Sequence, residues 1–455
     1  MSTVILGGGI IGLSTAYCLS LKQPAQSVHI IDSSPTLFTS ASGYAGGFLA
    51  LDWFNPSVSS LGALSFRLHR EWAEKHNGPR RWGYAGSHVY SLNVEDVGGG
   101  KGKTGKKARG EDWLLEGASR AGVARANSET DVHIVGSGGM VNDDGTPAVF
   151  TPHVGGTMET IAGPEECAQV EPREFCEFLL EECQCRHVQV HLSMRAVGVL
   201  TDGDGVLKGL KVQSTSTNGN SQDHDVKEVE CRNVVIAAGA WTPRVFKTLF
   251  PESKVRIPID PLAGHSIVVK SPRYKTPFID ASKRHIGGGE DNWLCYSIYC
   301  APGQYWPYAP EAYARLARNG ETEIWLGGLN SSTLPLPELA VDVKDMIDPK
   351  SIESLRKTTV QLAGRSKEGD EPNQDDLETV REALCFRPVS QSGNPIIGNV
   401  PEKDLGGVKL EDGGVWIASG HGPWGITLSP GTGLVMSEMI LGQKTSADVT
   451  RLQIG

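Results

Sequence analysis

Val4-Ile5-Leu6-Gly7-Gly8-Gly9-Ile10-Ile11-Gly12-Leu13-Ser14-Thr15-Ala16-Tyr17 is the stretch on which the reading of the chain turns. Val4 to Leu6 is a short apolar run of the kind a buried parallel strand needs. It enters Gly7-Gly8-Gly9-Ile10-Ile11-Gly12, with Gly7, Gly9 and Gly12 at the fixed positions of G-x-G-x-x-G. Gly7 permits a tight turn, Gly9 lets a pyrophosphate approach the backbone, and Gly12 lets the next helix pack closely. The pattern predicts that helix over 13–19. Its N-terminus offers N–H groups and a positive dipole end to phosphates.

A glycine match alone is weak, and the next segment strengthens it. Val28-His29-Ile30-Ile31-Asp32 reads as a second strand ending in an acid. Asp32 stands about 20 residues beyond Gly12, where a ribose-binding carboxylate belongs. Strand, turn, helix, strand and acid together predict a dinucleotide site. They do not by themselves separate FAD from NAD.

The chain has 455 residues, which favours two domains over one small core. A net charge of −10 argues against nucleic acid as the main partner. No apolar run approaches a membrane-spanning length. The first strand begins at Val4, which leaves no room for a leader peptide, and a cytoplasmic protein is expected. The nine cysteines are scattered without a C-x-x-C pair, and no H-E-x-x-H is present. His187 and His191 are expected on one strand face, a pair more often structural than ligating, and no metal is predicted.

Further along, Thr39 to Ala50 is rich in glycine and small residues, and is read as a loop facing a large flat ligand. Gly98 to Lys107 is basic and glycine-rich, but lacks the spacing of a phosphate loop and is read as a surface insertion. A second polar loop spans 214–225. Helices are predicted over 64–72 and 171–183. Strands are predicted over 188–192, 195–200, 264–269 and 323–328. Asp202-Gly203-Asp204-Gly205 signals a hairpin turn. Asn233 to Trp241 reads as an apolar strand with Gly239 at its carboxyl end, where ligands sit in open α/β sheets. Trp293 to Tyr313 is aromatic and fits a pocket wall, core packing or an interface. Gly414 to Ala418 reads as a strand leading into a second glycine-rich loop, Ser419 to Leu428. Ser429 as N-cap and Pro430 as first helical residue predict a last helix to about 441. A second loop aiming a helix inward suits a long ligand with two polar ends, and so FAD rather than NAD.

With these segments in order, the chain resembles the FAD-dependent amino-acid oxidase superfamily. That group includes D-amino acid, glycine, sarcosine and fructosyl-amine oxidases, and the likeness is closest to fungal FAD-dependent oxidoreductases. The resemblance implies an α/β fold: a Rossmann-like FAD-binding domain (1–60, 165–255 and 382–455) interleaved with an antiparallel-sheet substrate domain (61–164 and 256–381). It implies that Gly7, Gly9, Ile11 and Gly12 meet the pyrophosphate and Asp32 the adenosine ribose, with Ile10 and Ser33 also among the cofactor-binding residues. Ser40, Ser42, Gly46 and Gly47 would lie along the flavin side. The Val197 backbone would pair with adenine, and Gly239 would supply a second glycine contact. Gly422, Trp424, Gly425, Ile426 and Thr427 would lie over the flavin pyrimidine, where helix-end N–H groups favour negative charge.

Arg387, in an Arg-Pro context, matches the arginine that binds substrate carboxylate in glycine and D-amino acid oxidases. A guanidinium suits that task because its fork is bidentate and stays charged when desolvated. A structural salt bridge is the other reading. Cys385 resembles the cysteine carrying covalent flavin in sarcosine and fructosyl-amine oxidases. It fits equally a small buried cysteine beside non-covalent FAD. His421 and Trp424 are candidates for the flavin face. The implied reaction is oxidation of a C–N bond of an amino acid or secondary amine, with O2 as acceptor giving H2O2. A dehydrogenase with another acceptor and a regulatory flavoprotein are the alternatives. The tyrosines that clamp substrate in D-amino acid oxidase have no counterpart, and the aromatic insertion is not a superfamily motif.

Overall fold

The computed structural model describes residues 2–94, 147–152, 156–216, 226–274, 295–303, 305–317, 319, 321–367 and 372–454. The basic insertion at 98–107 and most of the polar loop at 214–225 lie outside these residues.

Thr3–Leu6 occupies the centre of a six-stranded sheet. Val28–Ile31 and then Gln189–His191 lie to one side. Asn233–Ile236, Gly414–Ser419 and Ile396–Asn399 lie to the other. All pairs are parallel except the outermost, Ile396–Asn399 with Gly414–Ser419. Val4, Ile5, Val234, Val235 and Ile236 are fully buried, as strands covered on both faces require. The chain winds outward from Thr3–Leu6 through Val28–Ile31, then returns to the opposite flank at Asn233–Ile236. That reversal opens a crevice beyond the carboxyl ends of the two central strands.

The helix after the glycine turn runs Ile10–Ser20, three residues earlier than expected. It is buried almost throughout because the helices Pro172–Cys185 and Gly425–Ile440 both pack on it. The glycines set these distances. A Cβ on Gly12 would lie 2.0 Å from the Gly7 carbonyl oxygen, and one on Gly433 2.4 Å from the Ser14 backbone.

The last helix corrects the sequence reading. It starts at Gly425, not after Ser429, and Pro430 lies inside it. An interior proline removes one helical hydrogen bond and costs about 3 kcal/mol in an isolated helix. Here the carbonyl freed at Ile426 is not orphaned. His69 Nε2 donates to it at 2.9 Å and Ser429 Oγ at 2.9 Å. His69 belongs to the helix Ser59–His76, which extends well past the predicted 64–72.

A nine-stranded sheet forms the second layer. Its order is Glu378–Ser390, Ile259–Lys270, Thr322–Ser331, Glu311–Leu316, Cys295–Cys300, Ala85–Val94, Cys167–Gln169 and Phe48–Ala50, with Gly156–Ala162 also on Ala85–Val94. Its pairings are antiparallel except Cys295–Cys300 with Ala85–Val94, which are parallel. The sheet is therefore mixed, where an antiparallel one was expected. Met194–Thr201, Leu207–Ser214 and Val226–Glu230 make a separate antiparallel sheet, with the first two joined through the predicted Asp202–Gly205 turn.

Most of the described aromatic residues in 293–313 belong to the core, while Tyr305 is exposed. Tyr296, Tyr299, Trp306 and Tyr313 are buried, and Tyr313 stacks on Trp325 with centroids 5.1 Å apart. His187 does not share a strand with His191. It precedes Gln189–His191 in a left-handed conformation, φ 66°. The partner of His191 is His29 on the adjacent strand, with Nδ1 and Nε2 3.3 Å apart.

Candidate active site

A cavity of 440 Å³ fills the crevice at the reversal of strand order. At one end lie the glycine turn and the acid after the second strand. Gly7, Gly9, Ile10 and Ile11 line it, with Asp32 and Ser33 beside them. Asp32 Oδ2 accepts from Gly8 N at 2.8 Å, and Oδ1 accepts from Ser34 N at 2.9 Å. Burial pushes the Asp32 carboxyl up, and these two N–H groups pull it part of the way back. Ser42 Oγ accepts from Ile10 N at 3.0 Å, so this serine braces the helix start. Ser40 Oγ accepts from Phe386 N at 3.2 Å and ties the same loop to the Glu378–Ser390 strand. Val197 lines the wall from the three-stranded sheet.

The other end is built by Gly239, the Cys385–Pro388 segment and the start of the last helix. Gly239 sits at φ 52° with open space where a Cβ would project. Gly422 adopts φ 54°, turning the chain so that Gly425 and Ile426 open the helix onto the cavity. His421 lines the wall, but its Nε2 meets Thr432 Oγ1 at 3.1 Å. Its Nδ1 is buried without a partner. Burial pushes the imidazole down to about 3, so it is neutral at physiological pH. Cys385 is buried, and desolvation raises its thiol while the nearby Arg387 cation lowers it somewhat. Arg387 Nη1 donates to Asn330 Oδ1 at 2.7 Å, its single hydrogen bond among the described residues. No carboxylate pairs with it there, so the salt-bridge reading finds no partner.

Five expected positions do not line the cavity. Gly12 packs against the Gly7 carbonyl. Gly46 faces the Tyr313 ring, and its carbonyl accepts from Arg315. Gly47, at φ 86°, abuts the Val170 carbonyl. Trp424 turns into an aromatic cluster, edge-on to Phe54 at 4.9 Å. Thr427 Oγ1 donates to Phe48 O at 3.0 Å. Each supports the wall from behind.

The reading of the sequence missed one wall. Arg195 and Arg244 grip Glu338, each at 3.1 Å, and Trp241 Nε1 donates to Pro337 O at 2.9 Å. Glu338, Leu339 and Ala340 are thereby strapped along the cavity. These contacts join residues 94 and 143 apart, which no local motif encodes.

The residues present fit FAD. Two helix N-termini open on one cavity, the Asp32 carboxylate lies beside the first of them, and open glycines leave flat approaches at Gly239 and Gly425. Among the described residues no group of three metal-ligating side chains assembles.

Comparison with known proteins agrees. Residues 2–439 match the family described as DAO, FAD dependent oxidoreductase. A Schizosaccharomyces pombe protein named as a putative oxidoreductase is 27% identical, aligned over 99% of this chain and 96% of its own. Iminodiacetate oxidase from Chelativorans sp. BNC1 superposes with a TM-score of 0.65 at 17% identity, covering 99% of this chain and 98% of that one. Glycine oxidase from Geobacillus kaustophilus gives 0.63 at 18% identity, over 100% and 98%. The two structures bear on the fold alone. On the family match, this chain belongs to the DAO family of FAD-dependent oxidoreductases and has its mixed α/β fold.

Proposed function

We propose that the protein oxidises the C–N bond of an amino acid or secondary amine to an imine, which water then hydrolyses, and that O2 is the acceptor and is reduced to H2O2. One observation carries the reading. Arg387 lines the cavity that the helix end at Gly425 also lines, and its guanidinium has no acidic partner among the described residues. That is a receptor for a substrate carboxylate.

Bound FAD would supply the redox chemistry, taking a hydride from the carbon and passing the electrons to the acceptor. The chain's own residues orient and desolvate. Arg387 would fix the carboxylate and so the direction of the C–H bond. The Gly425–Ile440 N-terminus opens on the cavity and would favour negative charge developing there. His421 is neutral and engaged with Thr432, and the Cys385 thiol is held up by burial. Neither serves as a base at neutral pH, and the reaction needs none when the substrate amine arrives neutral. The raised thiol also supports FAD held without a bond to Cys385.

The same reading divides the chain into an FAD-binding domain (1–60, 165–255 and 382–455) and a substrate domain (61–164 and 256–381). A cytoplasmic location is part of the same proposal. No helix among the described residues is long and apolar enough to cross a membrane.

Steady-state kinetics of Arg387→Ala test the reading. KM for a carboxylate-bearing amine rises at least tenfold while FAD stays bound and kcat changes less. Unchanged kinetics would remove Arg387 from the site. Reoxidation of the reduced protein in air tests the acceptor, and a turnover of minutes would favour the dehydrogenase alternative.

A further inference from the structure

Arg387 is treated unlike other arginines of the fold, whether buried like Arg315, half-buried like Arg356 or exposed like Arg195, Arg244 and Arg273. Arg315 pairs with Glu171, Arg273 with Asp376, Arg356 with Asp375, and Arg195 and Arg244 with Glu338. Arg387 alone of these faces a neutral amide, Asn330. The strand register explains how. Gly264 lies opposite Asn330 on one side and Cys385 on the other, and Arg387 follows Cys385 by two residues on the same face of its strand. The guanidinium leans back across Gly264. A Cβ there would stand 2.2 Å from Arg387 Nη1, 2.9 Å from Cζ and 2.8 Å from Asn330 Oδ1. The missing side chain of Gly264 is thus the space the guanidinium occupies.

We propose that Asn330 and Gly264 are the residues that set the charge selectivity of the site, holding Arg387 in place while leaving its positive charge uncompensated for an anionic substrate group. The inference rests on the reading of Arg387 as a carboxylate receptor. Asn330 Oδ1 engages Nη1, which leaves the Nε–Nη2 edge without a protein partner among the described residues. That edge is a bidentate match for a carboxylate. An aspartate at 330 would make the same hydrogen bond with almost the same shape but would cancel the charge. Away from bulk water that cancellation is felt strongly. An alanine at 264 would meet the far end of a flexible side chain, so the fold survives and the guanidinium is displaced.

The test is a spectral titration of the FAD-loaded protein with two probes: anthranilate, an aromatic amine bearing a carboxylate, and anthranilamide, the same ring with a neutral amide. Wild type is expected to bind anthranilate at least tenfold more tightly. In Asn330→Asp, Kd for anthranilate rises at least tenfold and Kd for anthranilamide changes less than twofold. Gly264→Ala shows the same selective loss, which separates placement of Arg387 from its charge. FAD content and Tm are recorded for each variant. If wild type discriminates and Arg387→Ala abolishes this, but flavin-loaded Asn330→Asp and Gly264→Ala both discriminate like wild type, the inference is overturned and the carboxylate reading stands. If wild type does not discriminate, both fall.

Discussion

Arg315 donates from Nη1 to the carbonyl of Gly46 at 2.7 Å, with no exposure to solvent. Gly46 and Gly47 belong to the loop that also carries Ser40 and Ser42 to the cavity wall. The charge of Arg315 is met by Glu171, 3.3 Å from Nη2. Glu171 also caps the Pro172–Cys185 helix, accepting from Glu174 N at 2.7 Å, and stands 3.7 Å from Arg381. Removing one partner of a buried ion pair leaves an uncompensated charge and costs about 3–5 kcal/mol. Glu171→Ala is therefore expected to lose at least about 3 kcal/mol in urea unfolding. A loss below 1 kcal/mol would show that water or another carboxylate replaces it.

Glycine positions in the cavity divide into two kinds. Gly7 has φ 112° and leaves only 2.5 Å between a Cβ and the Ala237 carbonyl oxygen. Gly239 also has positive φ, 52°, but its Cβ would meet nothing within 4 Å. Gly7→Ala should give protein that fails to retain FAD or fails to fold. Gly239→Ala should fold, at a cost of about 1–2 kcal/mol for the left-handed backbone. The ratio of flavin to protein absorbance after purification measures the contrast.

The acid side of the stability curve follows from two buried histidines. Burial lowers His69 to about 4 and His421 to about 3. The unfolded chain takes up these protons near pH 6.5, whereas the folded chain resists until far lower. Stability is thus full above pH 6.5 and is lost as pH falls toward 4. By pH 5 each histidine costs about 2 kcal/mol. Tm should fall steadily between pH 6.5 and 4.5. His69 adds a structural reason, since its neutral ring donates to the Ile426 carbonyl that Pro430 frees. A flat Tm over this range would contradict the burial of both rings.

Much of this site was legible because its chemistry is local. Gly7 and Gly9 of the glycine spacing, Asp32, Gly239, and Gly422, Gly425 and Ile426 of the last turn come from short local passages, and all reach one cavity. The misreadings arise where distant residues intervene. Pro430 marks a helix start only when nothing else can satisfy the carbonyl four residues back, and His69 supplies that from 357 residues away. Gly46, Gly47 and Trp424 carry the right residue types for a flat ligand but are turned toward Tyr313, Val170 and Phe54. Asn330 and Gly264 carry no motif at all. Their relation to Arg387 comes from the register of three strands.

Cys385 offers a chemical test. A thiol attached to flavin must first reach the thiolate form, and burial at this position opposes that. Acid precipitation is expected to leave the yellow colour in the supernatant. Flavin fluorescence that migrates with the chain on a denaturing gel, and is lost in Cys385→Ser, would contradict this.

Oxidation of carboxylate-bearing amines in this cavity is the proposal on which the substrate-binding predictions depend. Its most direct test is the anaerobic visible spectrum of the FAD-loaded protein, before and after free, N-methyl and N-glycated amino acids are added. The account predicts that one of these classes bleaches the flavin band, and that Arg387→Ala needs at least tenfold more of the same compound for half-bleaching. A band untouched by every carboxylate-bearing amine, or bleached equally in Arg387→Ala, would contradict it.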